Sequence, residues 1–483
     1  MSTIITGSED FVSVNRITID KQDLWVRVAE VFKGLVVDKT LVHNQYISKL
    51  PRYVSEYLVS KLCRKNDCRK LVDFIRKYYP DPADRDKYLH ELMVKGKIKI
   101  IDELKVTVDV RKGILKAIIP SLGLKDAGIY DSIVTEHENL LRTGMWGIIE
   151  LSYKPDNEFK VVVTGFTPFQ VSRVDLDWFL EATRKFNPRE WVDVVISTIG
   201  LNPAAYSWEE KLVLLLRLVP FVEANSNLAE FGPRATGKTF LYRNISYYSR
   251  IISGGRVSPA QLFYNIVTKQ PGLIAIKDVV VFDEVNRIRF TNEDEVVGKL
   301  KDYMESGFFE RGPKQAHSDC SLVFIGNVDD EILVDENSVK YLLNVLPGFM
   351  KDPALLDRIH GFIPGWRLPK IMVSSIHLSK TIGLVIDFYA EILHQLRRID
   401  YRKMVLDYVE LGRSFTIRDE KAIARTISGL IKVIAPHGEL DKQLFKEIVD
   451  IAIKSRIYVK QLLHLLLPNE YPSPSLEYNV RWG

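Results

Sequence analysis

Cysteine is scarce in this sequence, with three residues among 483: Cys63, Cys68 and Cys320. A structural zinc site needs several cysteine or histidine ligands at short spacings, and the sequence has no such set. Disulfide frameworks are typical of short secreted chains that are rich in cysteine. Cys63 and Cys68 are close enough in sequence to pair, but a single pair in a long chain favours two reduced thiols.

Long hydrophobic runs are also missing. A membrane-spanning helix needs about 20 consecutive apolar residues, and the longest candidate, at 212–222, is interrupted by Arg217 and Pro220. The N-terminus carries Glu9 and Asp10 instead of the basic start and apolar stretch of a signal peptide. We therefore expect a cytoplasmic protein with no membrane partner.

Neither sign of charge dominates. Lysine and arginine number 67 against 62 aspartates and glutamates, which gives a net charge of +5. Such mild basicity permits a nucleic-acid partner without indicating one. The length exceeds what one core supports, so two to four domains are expected.

Changes of periodicity divide the chain. Apolar residues recur at helical spacing before residue 97, alternate in short runs up to 175, and then return to helical spacing. After residue 222, strand and helix patterns alternate, as in a parallel sheet. We predict a multidomain α+β and α/β fold with an N-terminal helical domain (1–96), a β domain (97–175), a helical connector (176–222), an α/β core (223–372), a helical lid (373–468) and a tail (469–483).

The β domain is predicted to be a small barrel. Val106, Val108 and Val110 alternate with polar residues, and similar runs at 114–119, 146–152 and 159–166 are separated by turn residues. About five short strands on this scale are typical of an OB-like barrel. Such barrels either bind nucleic acid or serve only as structure, and the strands do not distinguish these alternatives.

A complete phosphate-binding motif, Gly-Pro-Arg-Ala-Thr-Gly-Lys-Thr, occupies 232–239. Glycines let the backbone wrap phosphates, and the helix that follows directs its positive end at the anion. Lys238 is predicted to reach the β- and γ-phosphates, and the Thr239 hydroxyl to bind Mg²⁺. The predicted ATP-binding set is Gly232, Pro233, Arg234, Ala235, Thr236, Gly237, Lys238, Thr239 and Phe240.

A second motif, Val-Val-Val-Phe-Asp-Glu at 279–284, reads as a buried strand that ends in two carboxylates. Asp283 is predicted to hold Mg²⁺ through water, and Glu284 to orient and activate the attacking water. Either motif on its own can occur by chance in an unrelated protein. Together, at this separation, they predict ATP hydrolysis.

Three further positions resemble the AAA+ class of ring ATPases. Asn327 ends another apolar strand, where the resemblance implies a sensor-1 residue, and Arg358 resembles the arginine finger that enters a neighbouring subunit's site. Arg418 opens a lid helix and resembles sensor 2, with Arg425 as the alternative. Because each residue alone is as readily a surface or capping residue, their order along the chain is the evidence. The resemblance implies an oligomer, usually a hexamer.

A hairpin is predicted between Glu284 and Asn327, after a helix that ends near residues 306–307 and with its tip at 312–314. It resembles the pre-sensor-1 hairpin of MCM helicases, which implies contacts to DNA phosphates. An ordinary solvated hairpin explains the same residues equally well. A second turn at 268–272 is interpreted as a shortened second pore hairpin, although the MCM insert at that place is longer. The predicted DNA-binding residues are Arg311, Lys314, Gln315 and Lys269.

Nearly the whole chain resembles the BrxL family, the Lon-related AAA+ proteins of BREX bacteriophage-defence systems. The segments that carry the resemblance are 51–58, 231–239, 252–255, 262–265, 281–285 and, most specifically, Leu-Asp-Arg-Ile-His-Gly-Phe-Ile-Pro-Gly-Trp at 356–366. The resemblance implies an MCM-like ring, a hexamer or double hexamer, that binds duplex DNA. It also implies other BREX proteins as partners in blocking phage replication.

Longer members of the family continue into a Lon-protease-like domain with a serine–lysine pair. Here Ser473 and Ser475 lie in a proline-rich segment without a partnered lysine, and the sequence ends at Gly483. We therefore expect no peptidase activity. Three functions remain open: a DNA motor, a protein unfoldase that serves a separate protease, and a scaffold that uses ATP to assemble on DNA.

Overall fold

Four helices and a short strand make up the first part of the fold. The computed structural model describes residues 21–43, 47, 49–63, 67–110, 112–142, 144–169, 174–311, 314–328, 338–372 and 376–481. The first elements are α1 (Lys21–Val31), β1 (Val36–Asp38), α2 (Arg52–Leu62), α3 (Arg69–Tyr78) and α4 (Arg85–Lys95). Val54, Leu58 and Leu71 share one apolar cluster, whereas Leu24 and Val28 of α1 join a different one.

A disulfide joins Cys63 to Cys68, so the prediction of two reduced thiols is wrong. Cys63 ends α2 and Cys68 precedes α3. The two Cα atoms are 4.5 Å apart, within the span of a disulfide. Cys320 is a free thiol, and it is buried.

Five strands close into a barrel in the order β2-β3-β4-β6-β5. Apolar side chains that include Ile100, Leu104 and Ile149 fill it. A five-stranded barrel was predicted, but the run at 106–110 is only the end of a long strand, and Val108 is exposed. The elements are β2 (Lys97–Asp109), β3 (Ile114–Ile119), β4 (Leu124–Ile129), α5 (Asp131–Glu136), β5 (Met145–Tyr153) and β6 (Val161–Pro168).

The four helices after the barrel pack into the largest apolar core together with helices from the end of the chain. They are α6 (Leu176–Thr183), α7 (Pro188–Thr198), α8 (Trp208–Leu216) and α9 (Val219–Val222). Ser207 and Glu210 form a capping box at the start of α8. The indole Nε1 of Trp191 donates a hydrogen bond to the carbonyl of Val433 at 3.1 Å. The predicted connector is therefore an integral part of the core.

A parallel sheet follows, with strand order β15-β7-β14-β11-β8. From β7 the chain passes two strand positions, later filled by β14 and β11, to reach β8. The last strand, β15, lies on the other side of β7, so the direction of the connections reverses there. The elements are β7 (Leu228–Gly232), α10 (Lys238–Asn244), β8 (Ser249–Val257), α11 (Pro259–Leu262), β9 (Tyr264–Asn265), β10 (Gln270–Pro271), α12 (Leu273–Ile276), β11 (Val279–Phe290), α13 (Glu293–Ser306), β12 (Phe308–Arg311), β13 (Lys314–His317), β14 (Ser321–Asn327), α14 (Ser338–Val345), α15 (Pro353–Leu356) and β15 (Gly361–Pro364).

Helices dominate the last part of the chain, as the sequence predicts, with two differences. Within the segment predicted as a helical lid (373–468), the first helix begins only at Ile386, because 382–384 pairs with β1 as a strand. The tail also contains a strand, β18, which pairs with β17. The elements are β16 (Ile382–Leu384), α16 (Ile386–Leu396), α17 (Arg402–Tyr408), β17 (Val409–Leu411), α18 (Ile417–Ile434), α19 (Lys442–Leu466) and β18 (Tyr478–Val480). Among the described helices, none is long and apolar enough to cross a bilayer.

A fully buried guanidinium, that of Arg456 on α19, ties the last helices to the sheet. It donates hydrogen bonds at 2.7 Å to the carboxylates of Asp357 and Asp419, and at 3.0 Å to the backbone carbonyl of Asp357. Lys460 contacts the other oxygen of Asp419 at 2.7 Å. The start of α18 and the chain between α15 and β15 are therefore held against α19.

Replacing Arg456 with methionine is expected to lower the thermal unfolding midpoint. Breaking a buried ion pair costs about 3–5 kcal/mol, and the lower end applies because Asp419 keeps Lys460 and Asp357 keeps Arg418. The matched control is Arg481→Met, since the pair of Arg481 with Glu410 is more than half exposed and contributes about 1 kcal/mol or less. Equal shifts for the two variants in scanning calorimetry would contradict the assignment.

Candidate functional site

The phosphate-binding motif forms the loop between β7 and α10. This loop lies at the carboxyl edge of the sheet where the strand order reverses, which is where open α/β sheets bind ligands. Ala235 and Gly237 have positive φ angles of 65° and 80°. A Cβ atom on Gly232 would approach the backbone of Gly365 to 2.5 Å. The glycines at 232 and 237 are thus required by a close contact and by a left-handed backbone, respectively.

Lys238 is almost fully buried within this loop. Its ammonium donates hydrogen bonds to the carbonyls of Gly232 at 2.8 Å and Pro233 at 2.5 Å. Burial lowers the pKa of Lys238 from 10.5 to about 8, although the charge of Glu230 opposes the shift. A buried ammonium group is costly unless it is paired with an anion. A phosphate that enters the loop would therefore stabilise Lys238 through charge-assisted hydrogen bonds.

Thr239 and Asp283 bring the two motifs together. The hydroxyl of Thr239 donates a hydrogen bond to Oδ2 of Asp283 at 3.0 Å, and the other carboxylate oxygen accepts from the backbone NH of Glu284 at 2.9 Å. Hydroxyl and carboxylate oxygens suit Mg²⁺, which keeps several waters and uses few protein ligands. Thr239 and Asp283 therefore fit a nucleotide-bound magnesium ion.

Glu284 adopts an unusual backbone conformation. Its φ angle is +50°, and the pairing of β11 with β8 is irregular between Asp283 and Ile288. A non-glycine residue in this region is strained, and such strain is concentrated at functional sites. The carboxylate is partly exposed and lies 3.2 Å from the guanidinium of Arg287.

Asn327 lies at the same edge of the sheet. It is the exposed last residue of β14, the strand between β7 and β11, and it pairs in register with Gly232. Of the other residues predicted to bind ATP, Pro233 and Thr236 are buried, whereas Arg234, Ala235 and Phe240 are exposed. The structure thus brings the two motifs and Asn327 to one edge.

The sequence analysis did not identify Arg217 as a residue that positions the phosphate loop, although it contacts the loop directly. This buried guanidinium, at the end of α8, contacts both carboxylate oxygens of the equally buried Glu230 at 2.6–3.1 Å. It also donates a hydrogen bond at 3.0 Å to the carbonyl of Thr236 inside the loop. The available signal was a pair of opposite charges within two otherwise apolar runs, one in α8 and one in β7.

The predicted arginines lie at the opposite, amino edge of the sheet. The backbone NH of His360, just before β15, donates to the carbonyl of Asn227, just before β7, at 2.7 Å. Since β7 has five residues, about 16 Å separates this edge from the phosphate loop. Neither Arg418 nor Arg425 approaches the phosphate loop of its own chain.

These arginines share one cavity of about 320 Å³. Its polar and charged lining is Glu305, Arg358, His360, Arg402, Arg418, Lys421 and Arg425. Burial, together with the charges of Arg425 and Arg456, lowers the pKa of His360 well below its ordinary value. The lining thus contains five cationic side chains and one carboxylate.

The predicted hairpin is formed by β12 and β13, which pair in register from Phe308–His317 to Arg311–Lys314. Phe309 is buried in the core, whereas Phe308 is half exposed against the His317 ring. Gln315 is exposed, as is Lys269 in the short turn between β9 and β10. Residues 312 and 313 at the predicted tip, and the side chains of Arg311 and Lys314, lie outside the described part.

A five-stranded parallel sheet with this loop and carboxylate strand defines the class of P-loop ATPases. Residues 161–477 match the family model described as "Lon-like protease BrxL-like, ATPase domain", and residues 30–153 match "BREX system Lon protease-like protein BrxL N-terminal". The chain belongs to the BrxL family, which confirms the resemblance recognised in its motifs. The two matches are separated by the turn between β5 and β6, within the barrel.

Two curated relatives, both named Lon-like protease BrxL, align with almost the whole chain. The protein of Bacillus cereus (strain H3081.97) is 34% identical over 470 residues, which span 95% of this chain and 69% of the relative. The protein of Escherichia coli O9:H4 (strain HS) is 33% identical over 482 residues, which span 97% and 68%.

Replacing Arg217 with methionine is expected to weaken ATP binding by about tenfold or more, since a lost hydrogen bond to a charged group costs about 1.5–3 kcal/mol. The measurement is titration with a fluorescent ATP analogue in a Glu284→Gln background. The control is Lys432→Met, because Lys432 and Glu223 form an equally buried pair without a contact to the loop. If both variants lose stability but bind nucleotide equally, Arg217 has no role in positioning the loop.

Proposed function

We propose that this chain forms a ring ATPase in which each subunit binds ATP–Mg²⁺ on its own phosphate loop and supplies arginines to the next subunit's site. Hydrolysis is coupled to the engagement of duplex DNA, in BREX phage defence and together with other BREX proteins. The observation that carries the proposal is the grouping of Arg358, Arg418 and Arg425 at the sheet edge opposite the loop.

The chemistry assigned to the carboxyl edge follows from its side chains. Lys238 and the backbone NH groups of 232–239 bind the phosphates, while Thr239 and Asp283 hold the magnesium ion, which neutralises phosphate charge when bound. Glu284 accepts a proton from the attacking water, and Asn327 orients that water. The positive φ of Glu284 supports this role, because strained backbone conformations of this kind are concentrated at functional sites.

The amino edge is assigned to the neighbouring subunit's nucleotide. Five cationic side chains line its cavity together with one carboxylate, that of Glu305. Asp357 and Asp400 also pair with Arg418 and Arg402, but the cavity lining itself favours an anion from outside. A head-to-tail contact that places one subunit's carboxyl edge against another's amino edge generates a ring when the rotation between subunits closes, and we assign such a closed arrangement to this protein. Arg358 then stabilises transition-state charge as an arginine finger, with Arg418 or Arg425 as sensor 2.

We assign the DNA to the central channel of the ring and to the N-terminal helical and barrel domains, which would surround it. The hairpin of β12 and β13 contributes Arg311, Lys314 and Gln315, and the β9–β10 turn contributes Lys269, all suited to sequence-independent phosphate contacts. We also infer that the barrel is OB-like, since its antiparallel strands are closed by a parallel pair, β4 with β6. A role of the barrel in binding DNA rests on the analogy with other OB-like domains.

Mixing two inactive variants tests the shared site. Glu284→Gln and Arg358→Ala are each expected to hydrolyse ATP poorly. Their mixture should regain activity, because some interfaces then combine an intact Glu284 with an intact Arg358 from the neighbour. The control mixture, Glu284→Gln with Lys238→Ala, carries a defect in the loop side of every site and should stay inactive. Equal inactivity of both mixtures would show that Arg358 does not act between subunits.

Steady-state hydrolysis with different polymers tests the assignment to DNA. Duplex DNA is expected to change the turnover rate, whereas an unfolded polypeptide should not. Lys314→Ala should weaken DNA binding and flatten its dependence on salt, since each lost phosphate contact lowers the salt slope by about one. The control is Lys446→Ala, an exposed lysine on α19.

The same measurement separates the two other functions. Stimulation by the polypeptide alone would overturn the DNA assignment and favour an unfoldase, for which the half-exposed Phe308 offers an aromatic contact at the hairpin base. Tight DNA binding without any change in hydrolysis would instead favour the scaffold.

A further inference from the structure

One carboxylate, that of Glu305, lies between the two arginines that the proposed function assigns to the neighbour's nucleotide. Its Oε2 atom is 3.2 Å from Nε of Arg358 and 3.0 Å from Nη2 of Arg418. Arg358 comes from the chain after α15 and Arg418 from the start of α18, and they are 60 residues apart in sequence. Glu305 occupies the position that an anion bound by both arginines would take.

The cavity has more donors than acceptors. The Nε groups of Arg358, Arg418 and Arg425 are buried and have no hydrogen-bond acceptor in the described part of the chain, since the approach of Glu305 to Arg358 lacks hydrogen-bond geometry. Buried donors without partners are costly and are usually satisfied by a ligand or by another conformation. Glu305 therefore satisfies these arginines only in part.

The ion pairs that Glu305 forms with the two arginines are weak, because they are partly exposed to solvent. The side chain of Glu305 is 44% exposed, and that of Arg418 is 40% exposed, so solvent screens the pair. The neighbouring pair of Asp357 with Arg456 is almost fully buried and stays fixed. A polyphosphate, which carries several charges, can thus displace Glu305 from the arginines without disturbing the framework beneath them.

Glu305 is also joined directly to the hairpin. It lies in the last turn of α13, which Gly307 ends in a left-handed conformation, and β12 begins at the next residue. The backbone NH of Ser318, just after β13, donates to the carbonyl of Gly307 at 3.0 Å. Lys299 on α13 donates to the carbonyl of Glu310 at 2.7 Å. The base of the hairpin therefore follows the end of α13.

From these contacts, and resting on the proposed function, we propose that Glu305 is a positioning residue that links the neighbour's nucleotide to the hairpin. When the neighbouring site is empty, Glu305 holds Arg358 and Arg418. When that site contains ATP, the two guanidinium groups bind its phosphates and release Glu305. The last turn of α13 and the hairpin then change position relative to the channel.

The test compares Glu305→Gln with Asp302→Asn. Both variants remove one negative charge from α13, and Asp302 is exposed one turn earlier with no part in the cavity. DNA affinity is measured with ATP, in a Glu284→Gln background, and with ADP. The ratio of the two affinities should fall to about one in Glu305→Gln, since the coupling is lost, and should keep its full value in Asp302→Asn. An unchanged ratio in Glu305→Gln would overturn the proposal.

A second readout does not depend on DNA. Basal hydrolysis by Glu305→Gln, with Glu284 intact, should rise about two- to fivefold, the factor that corresponds to releasing an exposed ion pair. Asp302→Asn should leave hydrolysis unchanged. If the unmodified protein does not bind DNA at all, the DNA assignment fails, while the hydrolysis rates still decide whether Glu305 restrains the arginines. Equal rates for the two variants would refute that restraint.

Discussion

Two buried guanidinium groups set the geometry on which both edges of the sheet depend. A charge without water must be neutralised and hydrogen-bonded nearby, or the fold loses several kcal/mol (about 3–5). Arg217 meets this demand with Glu230 and a carbonyl of the phosphate loop, and Arg456 with Asp357 and Asp419. In each case the arginine comes from a helix outside the sheet. The helical segments are thereby joined to the loops that they position.

The sheet connects the two buried arginine clusters, because strand β7 runs from one edge to the other. Strand β7 carries Glu230 and leads into the phosphate loop, while Asn227, just before it, is hydrogen-bonded to His360 beside the arginine cavity. Both ends of one short, fully buried strand are therefore in contact with a site. Because packed cores are stiff, the separation between the loop and the arginines is fixed within a subunit. Motion is left to the partly exposed groups at each edge.

The grouping of the two motifs at the carboxyl edge could be predicted from the sequence, because the residues of each motif are contiguous. A motif of eight residues contains both the conformational and the chemical requirements of the loop. The arginine cavity is different, since Glu305, Arg358 and Arg418 come from three elements that are distant in sequence and meet only through tertiary contacts. The buried pairs of Asp357 and Asp419 with Arg456 hold two of these elements together. The pairing of β1 with β16 and the strand at 478–480 were missed for the same reason. Each depends on a partner far away in sequence, with no local signal of its own.

Asp357 shows how one side chain can separate a fixed part from a movable one. One of its oxygens accepts from the fully buried Arg456, and the other contacts Arg418, which is 40% exposed. The first contact is screened little and the second strongly. The carboxylate is thus anchored on one side, while the guanidinium on its other side remains free to exchange partners. Such an arrangement suits an arginine that exchanges one anionic partner for another. A fully buried ion pair would immobilise the guanidinium group, whereas a fully exposed pair would not orient it.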